Sequence, residues 1–219
     1  MAKRAKTLTK DVLVENYMNY VLTHGKRPHN VFDFSKSIGF EERDFYQIYS
    51  DFEQIEAHFF SDMFDYTLEL IQKDENYQTY DASQKLSSFY FTFIEMATAN
   101  RSFVKHLLQN EQMSLKNVMK FKPLREKYLI FVKQILDNPI KIDIQVLNKV
   151  QNKVLVEGAW AQFISIMAYW LKDQSAGFEK TDIYIEKTVK ASFDVVYSVP
   201  FDSLIDFGKF LWKEKMMAK

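Results

Sequence analysis

Residues 154–171, VLVEGAWAQFISIMAYWL, are apolar on nearly every face of a helix and form the most hydrophobic piece of the chain. A helix of that kind needs cover on all sides. A bilayer could supply it, but a span takes about 20 predominantly apolar residues. Glu157 and Gln162 fall inside the run, so no integral membrane segment is expected. The remaining arrangement buries one side in the helix's own domain and the other against a second copy of the chain. The next helix offers Ile185, Val189, Phe193 and Val196 at matching spacing. With Ile164 and Leu171 these residues make the expected dimer interface, two helices from each protomer in a four-helix contact. A large monomeric core that buries both faces internally is the alternative.

Elsewhere the apolar residues keep the helical period and rarely alternate as strands do. Leu13, Tyr17, Tyr20 and Val21 share one face of a helix over 9–25, with Thr9 as its N-cap and Gly25 as its stop. Asn30 caps a short helix ending at Gly39, a second short helix follows over 41–49, and a long one starts at Asp51. On the long helix Ile55, Phe59, Met63, Tyr66 and Leu70 form one stripe and Phe60, Phe64 and Ile71 another, so it is covered on two sides. Further helices read over 81–99, 101–119, 121–137, 144–173, 181–198 and 201–216. The fold class is all-α.

Composition removes several chemistries. With no cysteine, disulfide frameworks, cysteine zinc sites, iron–sulfur clusters and thiol nucleophiles are excluded. Five glycines, none close enough to another to build a backbone nest, leave no phosphate-binding loop. The one ligand-like histidine pair, His58 with Asp62 at i, i+4, has no third ligand and reads as a surface pair. No catalytic constellation is recognisable, so no enzyme, metal or cofactor is expected. Lys plus Arg equals Asp plus Glu at 29 each, so any attraction to a polyanion is local. Asp11 and Glu15 arrive before an apolar run could form a signal peptide, which makes the cytoplasm the expected location.

The segment 25–55, GKRPHNVFDFSKSIGFEERDFYQIYSDFEQI, places a glycine-ended helix, a capped short helix, Gly39, a short helix carrying Phe45-Tyr46-x-x-Tyr49 and a long helix in one register. That register resembles the DNA-binding region of the tetracycline-repressor (TetR) family. Asn30 stands where the family usually has a capping threonine, Phe34-Ser35 where it has Ile-Ala, and Gly39-Phe40-Glu41 where it has Gly-Val-Ser. Trp170-Leu171-x-Asp173-x-Ser175 followed by Thr181 resembles the end of the family's penultimate interface helix and the start of the next.

The resemblance implies a TetR-like fold: a three-helix helix-turn-helix domain over 1–53, then a helical ligand-binding and dimerisation domain over 54–219. It also implies an Ω-shaped homodimer whose second short helices enter successive major grooves of duplex DNA. Glu42, Arg43 and Gln47 are then the candidate base readers, with Tyr46, Tyr49 and Lys36 toward the backbone. Lys3, Arg4 and Lys6 of the tail and Lys26 and Arg27 of the first turn add positive charge. Two departures oppose this. Between 30 and 51, Lys36 and Arg43 face Asp33, Glu41, Glu42, Asp44 and Asp51, a net charge of minus three, and Phe52 replaces the family's phosphate-gripping lysine.

The family holds its effector in the larger domain. Phe64, Tyr90, Phe93, Phe103, Tyr128, Phe131, Trp160, Phe163 and Met167 are the candidate lining for a small apolar or lipid-like ligand, or else a filled core. A helix over 201–216 with a basic end, Lys209, Lys213, Lys215 and Lys219, docks on the domain or makes peripheral contact with anionic lipid. The leading expectation is a ligand-responsive transcriptional regulator. The alternative is a protein of the same fold that has lost DNA binding and carries a lipid or isoprenoid, or binds a partner.

Overall fold

The computed structural model describes residues 8–109, 121–137 and 149–198. Among them there is no strand. The helices are α1 (Lys10–His24), α2 (Val31–Ser37), α3 (Glu42–Tyr46), α4 (Phe52–Gln72), α5 (Ala82–Ala99), α6 (Arg101–Gln109), α7 (Lys122–Asp137), α8 (Lys149–Lys172) and α9 (Glu179–Ser198). Short 3-10 turns at Tyr77–Thr79 and Ala176–Phe178 precede α5 and α9. Residues 110–119 and the helix read over 201–216, with its basic end, lie outside the described residues. The chain divides into two compact units, Met1–Tyr77 with Phe91–Ile130 and Gln78–Tyr90 with Phe131–Lys219.

In the first unit the ends of the helices follow from local chemistry. The Val12 amide donates to the Thr9 hydroxyl at 3.3 Å, the Asp33 amide to the Asn30 side chain at 2.7 Å and the Gln54 amide to Asp51 at 2.7 Å. Gly25 and Gly39 take φ of +68° and +81° with open space where a Cβ would stand, so the left-handed backbone is what selects glycine there. Tyr17, Phe34, Phe45 and Phe52 form the centre. Tyr17 stacks on Phe52 at 5.3 Å, and Phe34 meets Phe45 and Phe52 edge-on at 6.3 and 5.6 Å. Phe52 therefore sits in the core, which accounts for an aromatic at that position. On α6, Phe103 packs edge-on against Tyr17 and Phe59 at 6.1 and 5.0 Å.

The second unit is built on the α8–α9 hairpin with the first part of α5 and the end of α7. Phe163, Ile166, Met167 and Trp170 of α8 are buried, and so are Ile185, Val189 and Phe193 of α9, at 0%, 2% and 7% exposure. This corrects one expectation. The α9 stripe read as a dimer face is consumed inside its own unit, and Val196 is half-buried. Ile164 and Leu171 remain half-buried on α8. Over 153–172 that helix is long and apolar enough to cross a membrane by length and composition, yet only 22% of it is buried.

Asp173 ties the two helices of this hairpin together. Its Oδ2 accepts from the Thr181 amide at 2.9 Å and hydroxyl at 2.7 Å, while Oδ1 accepts from the Ser175 amide at 2.8 Å and hydroxyl at 2.7 Å. The Thr181 hydroxyl first, and the Ser175 donors after it, hold this carboxyl far below the ordinary value of 3.8 despite its burial. A depressed folded-state pKa gives stability that is complete above the ordinary value and is lost as pH falls beneath it. Thermal melts of the protein are therefore expected to weaken from about pH 4 downward. Asp173→Asn should lower Tm by several degrees at neutral pH and flatten part of that acid limb; an unchanged melt at both ends would refute the role.

Candidate functional site

Two features stand out, a polar surface on α3 and a cavity in the second unit. On α3, Phe45 points into the aromatic core with 0% exposure. That anchor turns Arg43, with 83% of its side chain exposed, and Tyr46 and Gln47 outward. Glu42 is half-buried and accepts from the Tyr46 hydroxyl at 3.4 Å. The Asp44 carboxylate accepts from the Glu41 amide at 3.1 Å, so the acids at the start of α3 satisfy a free backbone donor and favour the positive end of the helix. On α2, Lys36 lies 4.7 Å above the ring of Phe32, which is itself 49% exposed. Phe32 was not singled out from the sequence. Its place on α2, opposite buried Phe34, was the available signal.

Other residues read as DNA contacts stand elsewhere. Tyr49 is 2% exposed and its hydroxyl has no hydrogen-bond partner; burial pushes that phenol's pKa up. With no surface to offer, it leaves the contact set. Arg27 donates from Nε and Nη2 to the two oxygens of Glu56, both at 2.6 Å, and from Nη1 to Glu53, so its donors face carboxylates. Lys26 is exposed, and Lys3, Arg4 and Lys6 lie outside the described residues. His58 and Asp62 do not pair: Asp62 takes Lys10 at 2.8 Å, while the His58 ring lies 5.4 Å from Tyr49.

The cavity occupies about 530 Å³ between the first turns of α5, the end of α7, α8 and α9. Its walls are aliphatic and small: Leu86, Ile135, Leu155, Gly158, Ala159 and Ala191 are typical. Among the described residues no ionisable side chain lines it. The nine residues read as its lining are elsewhere. Phe64, Phe93, Phe103 and Tyr128 belong to the core of the first unit, Tyr90, Phe131, Phe163 and Met167 to the core of the second, and Trp160 is half-buried beside Phe163. Large rings fill space. Sequence reasoning followed the aromatics, whereas the signal lay in the small residues Gly158, Ala159, Ala161, Ala191 and Ser192, which leave space unfilled.

No curated protein matches the chain. Residues 85–211, more than half of it, match the model of the tetracyclin repressor-like C-terminal domain. That match takes in the paired helices α8 and α9 and the cavity beside them, in a chain whose described residues form helices and no strand. The chain belongs to the tetracycline-repressor family.

Proposed function

We propose that this chain is a homodimeric transcriptional regulator that binds duplex DNA through α2 and α3 and answers to an apolar effector held in the second unit. The observation that carries the reading is α3 itself. A helix small enough for the major groove is pinned by Phe45 and presents Arg43, Tyr46 and Gln47 together. Arg43 and Gln47 suit base edges, and Lys36, Lys26 and Tyr46 suit phosphates. An effector changes occupancy of DNA only to the extent that it binds one arrangement of the two heads better than the other.

The test is a gel shift on the gene's own upstream DNA across a salt series. A discrete complex is expected, with affinity that falls steeply as salt rises. Lys36→Ala should reduce the salt slope by about one and weaken all sequences alike. Arg43→Ala should cost roughly 1–3 kcal/mol and relax sequence preference. Absence of any complex at low salt would defeat the reading. The acidic start of α3 and the commitment of Arg27 to Glu53 and Glu56 favour the second reading, a family member that has lost DNA binding and carries an apolar ligand. That reading predicts no complex at any salt, together with co-purifying apolar material.

A further inference from the structure

We propose that Phe32 is a positioning residue for DNA: its ring holds the Lys36 ammonium on the outer face of α2 without neutralising it, so the charge stays available to a phosphate. The inference rests on the reading of α2 and α3 as the DNA face and adds a residue that acts there through its neighbour.

Val31, Phe34 and Ser35 are buried, which puts Phe32, Asp33, Lys36 and Ser37 on the outer face of α2. Phe32 and Lys36 stand one turn apart, at i and i+4. The Lys36 ammonium lies 4.7 Å from the centre of the Phe32 ring, within the distance over which a ring face attracts a cation. A carboxylate is just as near in sequence. Asp33 precedes Lys36 by three residues, yet its carboxylate accepts from the Asn30 amide nitrogen at 2.9 Å, and its backbone amide donates to the Asn30 side-chain oxygen at 2.7 Å. The cap that starts α2 therefore also engages the acid best placed to pair with Lys36. Among the described residues Lys36 has no ion pair.

Neighbouring cations differ. Arg27 is taken by Glu53 and Glu56, Lys10 by Asp62, and Arg43 Nε lies 3.9 Å from Asp44. A carboxylate partner cancels the charge it holds, and a cancelled charge contributes little to counterion release on DNA. A ring orders the cation and leaves its charge whole. An ammonium has three donors, so a ring on one side leaves the others for phosphate oxygens. Lysine also has more rotamer freedom than most side chains, so an ammonium already held costs less to fix on a phosphate. Between residues 30 and 51, where the net charge is minus three, this keeps one cation available.

The experiment measures binding of the full chain to the gene's own upstream DNA across a salt series. Phe32 is 49% exposed, so its variants are expected to keep the fold. Phe32→Leu retains apolar bulk and removes the ring. It should weaken binding roughly two- to fivefold per head, about five- to twenty-fivefold for a dimer, with the salt slope unchanged because Lys36 still meets its phosphate. Phe32→Tyr and Phe32→Trp restore a ring face and should bind as the wild type does. In a Lys36→Ala background, Phe32→Leu should change affinity by less than about twofold. A second readout needs no DNA. In the free protein, nuclear magnetic resonance of isotope-labelled lysine should show the Lys36 ε-methylene protons shifted upfield by the ring, and Phe32→Leu should abolish that shift.

Undiminished affinity in Phe32→Leu, a loss that Phe32→Tyr fails to restore, or Lys36 protons without the shift would overturn the inference and leave DNA binding standing. An equal loss with and without Lys36 would do the same, because it would place the ring against DNA itself. No complex at low salt in the wild type would instead remove the DNA reading and this inference with it.

Discussion

Arg27→Ala is expected to destabilise the first unit by about 3–5 kcal/mol, the usual effect of removing one partner from a buried ion pair. Glu56 is 1% exposed, and its carboxylate has a bidentate grip from Arg27 and a 2.6 Å hydrogen bond from the Tyr17 hydroxyl. The three groups come from α1, from the connection after it and from α4, so they fasten the turn before α2 to the long helix. Tyr17 keeps its proton throughout the physiological range, because burial, and then the Glu56 charge, push its pKa up. The hydrogen bond to Glu56 does the same for Arg27. Without the guanidinium the carboxylate stays buried without its bidentate cation. Glu53→Ala is the control: its side chain is 61% exposed, and the change should cost no more than about 1 kcal/mol. Arg27→Lys should fall between, since one ammonium cannot reproduce the fork. Urea midpoints followed by tryptophan-independent far-ultraviolet dichroism report the order; an Arg27→Ala midpoint no lower than that of Glu53→Ala would show that the network does not hold the head together.

Arg27 also marks the boundary of what the sequence made legible. Its charge and its place in the first turn suggested phosphate, and nothing within several residues contradicted that. The partner that claims it is 29 residues away. A signal did exist. Phe52, Ile55, Glu56, Phe59, Phe60 and Met63 recur at the spacing of one buried stripe, and a carboxylate on such a stripe demands a cation. Helix ends were readable for the opposite reason, because the caps at Thr9, Asn30 and Asp51 and the left-handed glycines at 25 and 39 act within three or four residues of themselves.

Tyr49 was misread because α3 closes early. Its amide continues the helical turn onto the Phe45 carbonyl at 3.0 Å, and the ring goes inward rather than toward the surface of α3. The cavity failed to show for a more general reason. Hydrophobic pattern tells which side chains avoid water, but an empty volume depends on what several helices together fail to fill, and that sum is not local to any one of them. The α9 stripe carries the same lesson: Ile185, Val189 and Phe193 announced burial without naming the surface that buries them.

The half-buried apolar residues of α8 lead to the second large effect, Ile164→Glu, which is expected to weaken the proposed self-association at least 100-fold, about 2.7 kcal/mol or more. Within the apolar stretch of α8, Phe163, Ile166, Met167 and Trp170 are buried, whereas Ile164, Ala168 and Leu171 are half-buried at i, i+4 and i+7, with Tyr169 37% exposed beside them. Water against such a stripe is unfavourable, and a second copy of α8 offers a self-complementary cover. A carboxylate at its centre would have to lose hydration to enter that contact, without a cation to meet it. Phe193→Glu separates this from simple unfolding. Phe193 is buried in its own unit, so that variant should lose helical signal, whereas Ile164→Glu should keep it and sediment as a monomer. DNA affinity should fall with it by about 100-fold or more, because one head then binds without the effective concentration supplied by the other. An Ile164→Glu protein that keeps both the wild-type particle mass and the wild-type gel shift would place the pairing surface somewhere other than α8.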